Sequence, residues 1–309
     1  MRDLLRQADA AGYAVGAFNA ANMECVRGII HAAEACRAPI ILQIAEGRLA
    51  HSPLALIGPM MVAAAREAAV PVAVHLDHGK TLPCLRQALS LGFTSVMWDA
   101  SDRPIEENVA STAEVVALAR ASGAAVEAEV GRVGRGEDGS ESAAEIGTLQ
   151  DCLRMDATGI DALAIGIGNA HGLYAQLPEL RYDVLEEVHG ALRAFPVLHG
   201  GSGLSDDQFR RCAALGMRKI NIATDIFRAA AGACQGTDLF HNIDASVEAV
   251  SRVVSRYIRL FGSADRVYTQ APKKYFAEGG LGGDRKAPPE FTSIKKSKQQ
   301  KGASPHDIL

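Results

Sequence analysis

Short apolar runs alternate along this chain with longer stretches whose apolar residues recur every three or four positions. The short runs read as parallel strands buried on both faces, the longer ones as amphipathic crossover helices. The pattern predicts strands at Ala14–Phe18, Ile40–Ile44, Val72–Leu76, Ser95–Trp98, Ala125–Glu129, Ala162–Gly166, Pro196–Leu198 and Lys219–Ile222. Helices are expected at Met23–Cys36, Leu54–Ala68, Leu82–Leu91, Pro104–Ala121, Tyr182–Ala194 and Asp206–Leu215. Ser205-Asp206 precedes one helix and Asp183 lies in the first turn of another, both favourable at a helix start. Gly92 and Gly216 follow helices where a left-handed cap is needed.

Eight strands in this alternation fit a closed (β/α)8 TIM barrel, with an open doubly wound sheet as the alternative. The placement of polar residues favours the barrel. His78, Asp99, Glu129, His171, His199 and Asn221 each fall at or just after the carboxyl end of a different strand. Barrel active sites are assembled at that face. A long additional C-terminal helix, Ala245–Phe261, is expected to pack across the barrel base or against a partner subunit. From about Thr269 the composition turns to Lys, Gly, Pro and Ser, which reads as a disordered tail. The expected division is therefore a barrel domain, 1–268, and a tail, 269–309.

Composition changes this picture little. Apolar residues make up 48% of the 309, ample for one large core. A formal net charge of −4 argues against a nucleic-acid or membrane partner, while leaving room for a local basic pocket. The six cysteines form no Cys-x-x-Cys pair and read as reduced thiols. No run suits a membrane span or secretory leader, so the expected location is cytoplasmic.

The stretch Val72–Gly79 (Val-Ala-Val-His-Leu-Asp-His-Gly) is an apolar strand that ends abruptly in ionisable groups. Strand alternation points Asp77 and His78 in different directions, so one can ligate a metal while the other faces substrate or turns into the barrel. With His171 and His199, His78 makes three imidazoles at three strand ends. Three ligands with a fourth position open is the arrangement of a catalytic zinc. Asp99 and Glu129 can orient an imidazole, serve as alternative ligands, or simply pair with a neighbouring cation. The glycine-rich loop Gly131–Gly139 carries Glu137, which enters the site if the loop closes and is a surface charge otherwise. Gly200-Gly-Ser-Gly203 and Asn221–Asp225 follow the seventh and eighth strands, where barrels frequently bind phosphate.

Together these segments resemble the class II, metal-dependent aldolases acting on fructose- and tagatose-bisphosphate. The resemblance runs from about Tyr13 to Arg266. It is carried by Gly16–Met23, Gln43–Gly47, His75-Leu-Asp-His-Gly79, Glu127–Gly131, Ile167–Gly172, His199-Gly-Gly-Ser-Gly203 and Asn221–Asp225. It implies a Zn2+ held by His78, His171 and His199, with Asp99 and Glu129 serving an alternative metal position. It makes Asp77 the acid/base on the C4 hydroxyl and Glu137 the group exchanging the C1 proton of dihydroxyacetone phosphate. Asn221 would bind the enediolate, and Asn19 with Gly200 and Gly201 would complete the substrate site. Gly172, Ser202, Ala223 and Thr224 would cradle the C1 phosphate. The carbonyls of Ala170, Gly172 and Gly200 would hold a monovalent cation, Na+ or K+. The implied reaction is retro-aldol cleavage of a ketose 1,6-bisphosphate to dihydroxyacetone phosphate and an aldehyde, by a homodimer or homotetramer. Lys80 and Lys219, the candidates for a Schiff base, match no catalytic position.

Four departures fall on this pattern. Arg135 occupies a position that is usually small, Ala45 replaces a common serine, and Trp98 replaces isoleucine or phenylalanine. Asp238-Leu-Phe240 stands where relatives have Asp-Pro-Arg. The alternative substrate is accordingly a ketose 1-phosphate whose distal group is not phosphate, such as 6-deoxy-6-sulfofructose 1-phosphate, which gives sulfolactaldehyde. A catalytically silent barrel subunit is the reading from another class.

Overall fold

Eight parallel strands close in sequence order into one barrel, the last pairing with the first. They are β1 (Val15–Asn19), β2 (Ile40–Ala45), β3 (Val72–Gly79), β4 (Ser95–Trp98), β5 (Ala125–Val130), β6 (Ala162–Ile165), β7 (Phe195–Leu198) and β8 (Lys219–Ile222). This computed structural model describes residues 1–134 and 144–267; Arg135, Glu137 and the expected tail lie outside them. The helices are α1 (Arg2–Ala11), α2 (Met23–Ala35), α3 (Leu54–Glu67), α4 (Leu82–Leu91), α5 (Ile105–Arg120) and α6 (Leu149–Asp156), followed by α7 (Tyr182–Val188), α8 (Asp206–Ala214), α9 (Thr224–Ala233) and α10 (Leu239–Leu260). Among the described residues no helix is long and apolar enough to cross a membrane. All six cysteines are free thiols, most of them buried, as expected.

Period-two alternation divides the strands into two layers. Phe18, Leu42, Val74, Val96, Val126, Leu163, Leu198 and Ile220 face outward and share one core with the surrounding helices. Val15, Ala17, Ile41, Ala73, Met97, Ala125, Ala162, Ala164 and Val197 form a second, inner core. Leu4, Leu5 and Ala8 of α1 complete that inner core, so α1 seals the end at which the strands begin. The long C-terminal helix, expected across the barrel base or against a partner subunit, does not lie across the base. α10 runs beside α2 and α9, and Gly28 of α2 is needed for the approach. A Cβ there would lie 2.7 Å from Val250 Cβ and 2.8 Å from the Val247 carbonyl oxygen.

Strand boundaries agree with the hydrophobic pattern to within a residue, except that β3 runs on from Leu76 to Gly79. Two expected helix ends move. α7 stops at Val188, short of Ala194, because the chain leaves helical geometry at His189 and turns through Gly190 at φ 73°. α10 starts at Leu239, capped by the Asp238 side chain, rather than at Ala245. Helices α1, α6 and α9 are additional to those the hydrophobic pattern predicts. As expected, Gly92 and Gly216 are left-handed, and Ser205 with Gln208 forms a capping box on α8.

Candidate active site

The extension of β3 builds the site. Along this strand Ala73, His75 and Asp77 face inward, and strict alternation would send His78 out among the helices. Instead the pairing with β4 jumps from Leu76↔Val96 to Gly79↔Trp98, a bulge that places one extra residue on β3. His78 absorbs it at φ 43°, a left-handed conformation uncommon for a residue with a side chain. Gly79 admits no side chain, since a Cβ would lie 2.4 Å from the Met97 carbonyl oxygen. Asp77 and His78 therefore both enter the barrel mouth, which corrects the expectation that they diverge.

His78, His171 and His199 converge there. One ring nitrogen from each lies within 4.8 Å of the others, and all three side chains are buried. His171 is set by the strand-like bridge between Gly134 and Ala170, in which its own N–H donates to the Gly134 carbonyl at 2.8 Å. The Asn169 side chain ties the same loop to the next one, donating to the His199 carbonyl at 2.9 Å.

Hydrogen bonds fix which nitrogens face inward. His78 Nδ1 lies 2.9 Å from Asp99 Oδ2, and His199 Nε2 lies 2.8 Å from Glu127 Oε1. Carboxylates only accept, so both of these ring nitrogens carry hydrogen. In the neutral rings the remaining nitrogens, His78 Nε2 and His199 Nδ1, carry bare lone pairs, yet they face each other at 2.9 Å. That contact requires a cation between or upon them, either a proton or a metal. The donor set of three imidazoles suits zinc or a similar divalent ion.

The surrounding charges make the same demand. Burial disfavours a charged His78, but Asp77, Asp99 and Glu129 outweigh it and raise its pKa to about 10. Burial and the adjacent His78 charge hold His199 well below the usual imidazole value. Glu129 is pushed up to about 7, first by burial and then by the Asp99 charge. Its Oε1 accepts from Val133 N at 3.1 Å, while Oε2 is buried without a hydrogen bond, 3.9 Å from His199 Nδ1. Asp99 is more fully engaged. Besides His78 it meets Lys80 Nζ at 3.0 Å and accepts from Ser101 N and Oγ. Orientation of an imidazole and pairing with lysine, posed as alternatives, thus coexist at Asp99. His78, Asp99 and Glu129 also form a second potential metal-binding group.

Asp77 lies on the β8–β1–β2 side of the mouth. Its carboxylate accepts from Asn19 Nδ2 at 3.0 Å, Gln43 Nε2 at 3.2 Å and Asn221 Nδ2 at 3.2 Å. Burial favours the neutral acid, but His78, His199, Lys219 and the Asn19 bond overcome it and hold the pKa below the usual carboxylate range. Asn221 and Asn19 thus sit in the site, engaged with Asp77.

The glycine loops close the remaining side. Gly172 and Gly200 adopt φ 86° and 61°, and a Cβ on Gly200 would lie 2.3 Å from the Ala170 carbonyl oxygen. The loops after β6 and β7 can touch only because that Cβ is missing. Tyr174 joins them as well, accepting from Ala170 N and donating to the Gly200 carbonyl. One lone pair of that carbonyl, a suggested cation ligand, is therefore occupied. The Gly201 N–H is engaged by the Asn221 carbonyl at 3.2 Å. Ser202 Oγ accepts from Asp225 N at 3.3 Å in the first turn of α9. Ala223 and Thr224 stand at the N-terminus of that helix, a favourable place for an anion.

Three buried polar residues escaped the sequence reading as site components: Gln43, Glu127 and Lys219. Lys219 is fully buried, with Nζ 2.7 Å and 2.9 Å from the two Glu127 oxygens. Such a paired ammonium is not a free amine for a Schiff base. The signal that could have found these residues is positional, since each lies an even number of residues from another inward-facing group on its strand. Of the four departures, Trp98 faces the outer core and donates to Ser111 Oγ, away from the mouth. Ala45 is buried in register with Asp77, whereas Phe240 is 77% exposed at the start of α10.

Comparison with known proteins agrees with this geometry. Residues 1–266 match the family described as fructose-bisphosphate aldolase class-II. The chain is 40% identical to a fructose-bisphosphate aldolase of Streptococcus pyogenes, covering 82% of this chain and 94% of that protein. It is 40% identical to a 6-phospho-5-dehydro-2-deoxy-D-gluconate aldolase of Halalkalibacterium halodurans, over 74% of this chain and 81% of that one. Among solved structures, the YdjI aldolase of Escherichia coli K12 superposes with a TM-score of 0.79 at 33% identity, over 86% and 97% of the two chains. Sequence, barrel and relatives converge: this chain belongs to the class-II fructose-bisphosphate aldolase family, and is an aldolase and hence a lyase.

Proposed function

We propose that this aldolase cleaves a ketose 1,6-bisphosphate, of fructose or tagatose type, to dihydroxyacetone phosphate and an aldehyde, with zinc held by His78, His171 and His199. The observation that carries the reading is the convergence of ring nitrogens of His78, His171 and His199 within 4.8 Å of one another, beside a buried carboxylate at Asp77. A zinc ion bound there supplies Lewis acidity for the substrate carbonyl and for the negative charge that develops on carbon–carbon cleavage. Asp77, kept anionic and aimed by three amides, takes the C4 hydroxyl proton. The backbone about Gly172 and Ser202 and the N-terminus of α9 at Ala223 and Thr224 bind the C1 phosphate. Glu137, in the segment after β5, returns a proton to the carbon freed by cleavage, C3 of the ketose. Stripping the metal should abolish release of dihydroxyacetone phosphate, and zinc should restore it. Full activity in rigorously metal-free protein would refute the proposal.

A second reading concerns the far end of the substrate. Ala45 brings no hydroxyl beside Asp77, and Phe240 offers no charge where relatives carry arginine. An arginine grips phosphate through bidentate, charge-assisted hydrogen bonds that neither residue can supply. This favours a ketose 1-phosphate with a different distal group, a sulfonate or a sugar-acid skeleton. The test compares kcat/KM for fructose 1,6-bisphosphate, tagatose 1,6-bisphosphate and 6-deoxy-6-sulfofructose 1-phosphate. A tenfold preference for either bisphosphate would discard the second reading.

A further inference from the structure

Directly behind the three imidazoles, four strands contribute a layer of polar groups enclosed by the barrel wall. Glu127 of β5 is at its centre, and its side chain is fully buried. Its Oε1 accepts from His199 Nε2 at 2.8 Å, and Lys219 of β8 lies within 2.9 Å of both carboxylate oxygens. His75 of β3 stands beyond, with Nε2 3.6 Å from Glu127 Oε2 and Nδ1 2.9 Å from Ser95 Oγ. His75, Ser95, Glu127, His199 and Lys219 are all inaccessible to solvent.

Stability is a poor reason for such a layer. Desolvating two ions costs several kcal/mol each, and well-packed apolar replacements are often neutral or better. What this layer does supply is direction. An imidazole can present either nitrogen to a metal, and the hydrogen bond at the other nitrogen decides which. Only Nδ1 of His199 points toward His78 Nε2, because Nε2 is committed to Glu127. Lys219, in turn, holds both Glu127 oxygens and leaves the carboxylate one orientation.

We propose that Glu127, clamped by Lys219, is a positioning residue that locks His199 in its Nε2–H tautomer and so makes Nδ1 its metal-facing nitrogen. This rests on the reading of the three imidazoles as metal ligands. The test uses the full chain and Co2+ as probe. Removing Glu127 alone would strand a buried lysine and threaten folding, so two double variants are compared. Glu127→Leu with Lys219→Met removes both charge and acceptor; Glu127→Gln with Lys219→Met removes the charge but keeps an acceptor oxygen. Co2+ affinity is measured by chelator competition, the cobalt d–d spectrum is recorded, and long-range 1H–15N NMR of the metal-free protein reports the His199 tautomer.

The Leu/Met variant should lose roughly 10–100-fold in Co2+ affinity and show a mixed His199 tautomer. The Gln/Met variant should retain the Nε2–H tautomer and recover part of the affinity. Parental affinity and tautomer in the folded Leu/Met variant would overturn the proposal. So would equal losses in both variants with the tautomer unchanged, because the loss would then come from packing. Failure of the parent protein to bind Co2+ would instead overturn the metal reading, while the tautomer comparison would still test Glu127.

Discussion

Replacing Gly200 by alanine probes the contact that brings two histidine-bearing loops together. At φ 61° an added side chain carries a backbone cost of roughly 1–2 kcal/mol. The larger effect is steric. The new Cβ would lie 2.3 Å from the Ala170 carbonyl oxygen, 2.6 Å from its carbon and 3.2 Å from its nitrogen. All three atoms are backbone, so relief requires one loop to retreat by on the order of 1 Å, to a normal van der Waals separation. His199 precedes Gly200 and His171 follows Ala170, so the retreat separates two of the three imidazoles. A displacement of about 1 Å in a catalytic constellation can cost about 10²-fold in rate. Gly190→Ala is the control, because Gly190 has φ 73° but nothing within 4 Å of a Cβ. Both variants should melt at lower temperature through the shared backbone cost, by roughly 2–4 °C per kcal/mol. Only Gly200→Ala should also lose metal and at least about 10²-fold in kcat/KM. The assays are thermal unfolding, metal content of the purified protein, and coupled detection of dihydroxyacetone phosphate. Parental metal content and activity in Gly200→Ala would refute the argument.

Three further outcomes follow from the charges in the mouth. Asp77→Asn should retain metal and lose roughly 10²–10⁴-fold in cleavage rate; a rate within a few-fold of the parent in single-turnover measurements would remove Asp77 as the base. In metal-free protein the raised His78 pKa, about 10, means that its stabilisation is complete below the unfolded value of 6.5 and is lost as pH rises through 10. Melting temperature should therefore fall from neutral pH toward pH 10, and metal uptake at pH 8 should release about one proton. Calorimetric titrations in buffers of different ionisation enthalpy measure this release, and zero release would contradict the assignment.

Much of this protein can be read from local pattern. Short apolar runs locate the eight strands because a strand buried on both faces must be continuously apolar. Histidines 78, 171 and 199 stand out because an ionisable group at the end of an apolar strand has no packing reason to be there. Asp77 stands out by the same contrast, and Gly200–Gly203 after β7 by its run of glycines. Local pattern failed where the outcome depended on partners distant in sequence. Length does not explain the helices absent from the pattern, since α1 and α9 have ten residues, as α4 does. Alternation along β3 sends His78 away from the site, and only the pairing of β3 with β4 creates the bulge that turns it in. Lys219 resembles a surface lysine until barrel closure sets it opposite Glu127, 92 residues earlier in the chain. Which ring nitrogens of His78 and His199 face each other is likewise a cross-strand matter, set by the hydrogen bonds to Asp99 and Glu127. Hydrophobic period determined which residues could be strands and which positions could face inward. Register and closure decided which inward groups meet, because hydrogen bonds act over about 3 Å and that proximity exists only in the folded barrel.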